Sequence, residues 1–103
     1  MYNLLIVDDE KLTVEAIKKT LLSGELEIIQ VFKAYSGQEA FDLIRSNQID
    51  IVVSDIKMPG MSGVELIKKI RHYSENIKCI LLSAMPNLPM RKKRSKIKRF
   101  ITY

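Results

Sequence analysis

The chain has 103 residues, enough for one domain, and its 47% hydrophobic share is ordinary for a soluble globular protein. No apolar run approaches the ~20 residues that span a membrane, and Met1–Asn3 lacks the basic start of a signal peptide, which argues against a membrane or exported protein. The net charge of +5 conceals a division: residues 1–90 hold ten Lys/Arg against twelve Asp/Glu, a net of −2, whereas residues 91–103 hold seven Lys/Arg and no acid, a net of +7.

Along the chain, short apolar runs alternate with helical patterns. Leu4–Val7 is apolar without alternation, as a strand buried on both faces of a parallel sheet requires. Lys11–Leu22 puts Leu12, Ala16, Ile17, Thr20 and Leu21 on one helical stripe, ended by Ser23-Gly24. Ile28–Ala34 is a second predicted strand. Ser36 and Glu39 have capping-box spacing ahead of Ala40, Phe41 and Ile44, so a helix begins there. Ile51–Ser54 is a third strand, Ser62 and Glu65 open a third helix through Leu66, Ile67 and Ile70, and Ile77–Leu82 is a fourth strand. This alternation calls for an α/β fold, a doubly wound parallel sheet with helices on both faces. The lone cysteine, Cys79, lies in an apolar run and is expected to be a reduced, buried thiol of a cytoplasmic protein.

Ligands of such folds bind outside the carboxyl ends of the strands. The polar residues there are Asp8 and Asp9 after the first strand, Asp55 after the third and Ser83 after the fourth. Taken singly, an Asp doublet after a strand reads as a cap or turn. Together, three carboxylates at ~4 Å would repel by roughly 1–4 kcal/mol per pair. A hard divalent cation with oxygen ligands, such as Mg²⁺, offsets that repulsion. A carboxylate beside the metal can then attack a phosphoryl group and become an acyl phosphate.

Ile6-Val7-Asp8-Asp9-Glu10, Asp55-Ile56-Lys57-Met58-Pro59-Gly60-Met61-Ser62-Gly63 and Ile80-Leu81-Leu82-Ser83-Ala84 resemble, in this order, the receiver domains of two-component response regulators. The resemblance covers about residues 3–84. It implies a flavodoxin-like fold, Asp55 as phospho-acceptor, and Asp8, Asp9 and Asp55 with the Lys57 backbone carbonyl around Mg²⁺. By the same resemblance Ser83 is the switch hydroxyl and a sensor histidine kinase the donor. The domain is then no conventional enzyme but a phospho-accepting module with Mg-dependent self-phosphorylation and dephosphorylation chemistry. A phosphohydrolase reading is disfavoured because Lys57, not a second acid, stands two residues after Asp55.

Past Ala84 the resemblance fails. Two prolines, Pro86 and Pro89, stand where a fourth helix should begin, and the fifth-strand lysine of a Lys-Pro pair is missing. Codons read two bases out of register across Ala84–Thr102 permit Tyr-Ala-Glu-Phe-Thr-Tyr-Ala-Lys-Glu-Ala-Ile-Lys, which is similar to the fourth helix of receivers in AraC-type regulators. Met85-Pro86 must then read as Ala. The expectation is a receiver of residues 1–84, incomplete after its fourth strand, with residues 85–103 a basic, out-of-frame tail. A receiver fragment unable to switch, or a basic-tailed nucleic-acid binder using Lys92–Arg99, are the alternatives. No DNA-binding module is legible in this chain. Without a fifth strand, Ile77–Leu82 would be a bare edge and the chain would self-associate. Arg91–Arg99 is expected to be largely disordered or helical only in an assembly, and Ile97, Phe100 and Ile101 are spaced for one short helical turn, or else Phe100–Tyr103 is a strand. Lys68, Lys69, Arg71 and His72 are read as a solvated helix face.

Overall fold

The computed structural model describes residues 1–84 and 98–102, the last two residues of the fourth strand and all of the fifth by their backbone alone. The elements run β1 (Tyr2–Val7), α1 (Lys11–Leu22), β2 (Ile28–Ala34), α2 (Gly37–Ser46), β3 (Ile51–Asp55), α3 (Gly63–Tyr73), β4 (Lys78–Ala84) and β5 (Lys98–Thr102). β1 starts two residues earlier than the apolar run suggests, because the chain supplies partners for its polar first turn. Tyr2 N–H donates to the Glu27 carbonyl at 2.8 Å, and Asn3 is held by Asp50 and by the Gln48 carbonyl, both at 2.7 Å.

The helix starts follow the serines. Ser36 and Ser62 are N-caps whose hydroxyls accept from the N–H of Glu39 and Glu65. At α3 the box closes, Glu65 accepting from Ser62 N–H at 3.2 Å. At α2 the return bond slips back one residue, to Tyr35 N–H at 2.8 Å. The α1 stripe differs from the predicted one. Leu12 is 61% exposed, Ala16 and Thr20 are exposed too, and the face turned to the sheet is Val14, Ile17 and Leu21. Ile17 and Leu21 belong to the predicted stripe; Val14 takes the place expected of Leu12 as the third large apolar side chain, and Thr20 spends its hydroxyl on the Ala16 carbonyl at 3.0 Å.

The sheet order is β2-β1-β3-β4-β5, with β1 to β4 parallel. β5 runs antiparallel to β4, Ile80 opposite Thr102 and Ala84 opposite Lys98. This corrects the expectation of a bare β4 edge: residues 98–102 pair with it, and the sheet edges are β2 and β5. Lys98 and Arg99 are strand residues rather than disordered or helical ones; residues 85–97, including both prolines, lie outside the described residues. α2 and α3 cover one face over Leu5, Val7, Val52, Cys79 and Leu81, while α1 covers the other over Leu4, Ile6, Val53 and Leu82. Among the described residues no helix is long and apolar enough to cross a membrane.

Candidate functional site

The order of the sheet reverses between β1 and β3, where a doubly wound fold opens its crevice. Val7 lies level with Ser54, so Asp8 and Asp55, each one residue further on, reach the rim side by side. Both continue the alternation of Ile6 and Val53 and so fall on the α1 side. One carboxylate oxygen each from Asp8, Asp9 and Asp55 lies within 4.8 Å of the others, with Asp8 and Asp55 buried and Asp9 exposed. A donor set of three carboxylates with one open side suits a hard divalent ion.

Backbone groups hold these acids in place. Glu10 N–H donates to Asp8 Oδ1 at 3.0 Å, and Asp8 N–H donates to the Ala34 carbonyl at 3.1 Å. Ile56 N–H donates to Asp55 Oδ1 at 3.0 Å and also meets the Leu82 carbonyl at 3.3 Å, tying the acid to the neighbouring strand. The buried Ser54 hydroxyl donates to the Asp55 carbonyl at 2.9 Å. None of these bonds is legible as a motif, because backbone donors leave no mark on composition and a strand serine looks like any other.

The loop after Asp55 turns on two glycines. Gly60 takes φ +79, which a side chain resists, directly after Pro59. Gly63 donates its N–H to the Ile56 carbonyl at 2.7 Å, and a Cβ built on it would stand 2.0 Å from the Asp55 carbonyl oxygen. Gly63 is thus a close-approach glycine that lets α3 start against the end of β3. Lys57 lies exposed in this loop, two residues beyond Asp55. Ser83 lies in β4 one residue past Leu82, the register partner of Asp55, and opposite Arg99 of β5. His72 is exposed, as expected.

A parallel sheet of order 2-1-3-4 with three acids at its switch point defines a flavodoxin-like α/β signalling domain. The chain belongs to the response regulator receiver domain family, whose model matches residues 4–100. It is 39% identical over 83 residues to the uncharacterized transcriptional regulatory protein YesN of Bacillus subtilis, covering 81% of this chain and 23% of that one. Among solved structures, a two-component transcriptional regulator AraC from Clostridium phytofermentans superposes with a TM-score of 0.76 at 28% identity, over 84% of this chain and 70% of that one. The response regulator TrrA from Thermotoga maritima, solved in complex with Mg²⁺-BeF, gives 0.73 at 38% identity, over 84% and 72%. The chain spans 23% to 32% of the length of the first curated relatives it matches.

Proposed function

We propose that this domain takes a phosphoryl group onto Asp55 from a sensor histidine kinase and passes the modified state to an output partner. The observation that carries the reading is the convergence of Asp8, Asp9 and Asp55 within 4.8 Å at the switch point of the sheet. Asp8, Asp9 and Asp55, with the Lys57 carbonyl, would hold Mg²⁺, which when bound supplies positive charge for the transferred group. The binding of Mg²⁺-BeF by TrrA supports this assignment.

The chain's own residues account for the rest. The bond from Ile56 N–H fixes one oxygen of Asp55 and so orients the carboxylate. A carboxylate oxygen forms the new bond to phosphorus as the donor's P–N bond breaks, and the donor imidazole takes a proton. Ser83, at the end of β4, is the proposed switch hydroxyl. We divide the chain at Ala84, since every residue given a chemical role lies before it, and we place the domain in the cytoplasm with its kinase. Self-association, no longer favoured by a bare β4, would use the β2 or β5 edge.

Acetyl phosphate with Mg²⁺ is expected to add one phosphoryl group to the chain, seen by mass spectrometry, and Asp55→Asn to abolish the gain. An undiminished gain in Asp55→Asn overturns the assignment. Asp9→Asn is expected to raise the Mg²⁺ concentration needed without abolishing the modification.

A further inference from the structure

Lys68, Lys69 and His72 of α3 are exposed, in keeping with the solvated face read from sequence, Arg71 is half-buried, and Lys69 and Arg71 have fixed partners. Lys69 Nζ sits 4.7 Å from the centre of the Phe41 ring of α2, and the Arg45 guanidinium 5.8 Å from it. Phe41 also meets Tyr73 edge to face, at 5.9 Å and 76°, yet Tyr73 remains 52% exposed. Arg71 donates to the Ile77 carbonyl at 2.6 Å.

Around these groups lie two shallow hollows that share His72 as a wall. One, of about 380 Å³, is lined by Phe41, Lys69, His72 and Tyr73. The other, of about 360 Å³, is lined by Val64, Ile67, Lys68, Arg71 and His72. Among the described residues no acid lines either. Glu39 and Glu65 are bound to the N-terminal backbone of their helices, and Asp42 accepts from Gln38. The surface is therefore apolar in its floors, aromatic on one wall and cationic on its rim.

We propose that this surface, the outer side of α3 with its junction to α2, docks an acidic amphipathic helix of a partner protein that lies across α3, apolar side chains entering the two hollows and carboxylates meeting Lys68, Lys69 and Arg45. Charge selects this occupant. Residues 85–97 of the chain itself carry five cations and no acid, so they match the rim in sign and are repelled by it. The aliphatic floor at Val64 and Ile67 selects between polyanions: it receives a leucine-sized group, whereas a single-stranded nucleic acid, which could stack on Phe41, His72 or Tyr73 in the first hollow, finds no further platform for successive bases in the second. Exposed tyrosine and arginine flanking a hollow are also the residue types that dominate protein interfaces.

The probe is a synthetic helical peptide with leucine on one face and glutamate elsewhere, titrated into the whole ¹⁵N-labelled chain. Amide shifts are expected at Phe41, Lys69, His72 and Tyr73. The exposed pair Lys68→Glu with Lys69→Glu is expected to weaken binding at least about tenfold. Tyr73→Ser, which leaves the charge intact, weakens it less but measurably. Lys92→Gln with Lys93→Gln, outside the proposed surface, leaves it within about twofold. Asp55 labelling by acetyl phosphate stays unchanged in all of them. The proposal is overturned if the tail variant abolishes binding while the α3 pair does not, if oligo-dT displaces the peptide from the same amides, or if light scattering shows a second copy of the chain covering them.

Discussion

The two faces of the sheet are built to different standards. Among the described residues the α2–α3 face buries fourteen apolar side chains in one cluster, and both helices start on serine caps. The α1 face buries five. Its helix starts at Glu10 without a side-chain cap, and Leu12 and Leu22 stay exposed. Asp8 and Asp55 rise on the side of the thinner cluster, while Gly63, which sets the end of β3, belongs to the thicker one. Among the described residues apolar burial is therefore heavier on one face, and the three carboxylates stand on the other, where local adjustment disturbs fewer packed groups.

Substitutions at matched depth test this asymmetry. Leu66→Ala, in the centre of the α2–α3 cluster, should cost ~3–4 kcal/mol in urea unfolding. Val14→Ala, the fully buried residue of α1, should cost roughly 2 kcal/mol, from the methyl groups removed. Equal losses per carbon removed, three for Leu66 and two for Val14, would mean that the faces contribute alike. Gly63→Ala should cost ~2–3 kcal/mol, because the intruding Cβ meets backbone and cannot be relieved by a rotamer change. It should also slow acetyl-phosphate labelling of Asp55, and a variant of normal stability and labelling would contradict the close approach.

Two smaller effects sharpen the contrast. Ser62→Ala should cost ~1 kcal/mol through loss of the closed capping box. Leu12→Ala should fall within about 0.5 kcal/mol of wild type, as at any exposed position. Cys79, on the α2–α3 face, supplies a probe that needs no substitution. Burial pushes its thiol up in pKa, against a weaker opposing pull from Arg71, so the unreactive thiol prevails at neutral pH. Native alkylation should be slow and accelerate on addition of urea; rapid native labelling would show that this face opens readily.

Much of this was legible before the structure. Ser36, Ser62 and Gly24 punctuate the chain in ways that local chemistry decides, and α1 and β2 occupy the expected residues. The three acids were recoverable because a parallel βαβ order sends consecutive strand ends to one rim. The α1 stripe was legible at Ile17 and Leu21 but not at Val14, since either Leu12 or Val14 could join them and only the shape of the sheet chooses between the two. β5 was half legible: a strand at Phe100–Tyr103 was one of two readings, but its start at Lys98 and the direction of its pairing are settled by contacts far away in sequence. The bonds from Ile56 and Glu10 were hidden for another reason, being made by groups that every residue carries.

The direction of β5 also determines where the connecting chain is anchored. Ala84 and Lys98 are register partners, so residues 85–97 leave the sheet and rejoin it at one end, the end where Asp8 and Asp55 stand. A parallel strand would instead have needed a crossover to the far end of the sheet.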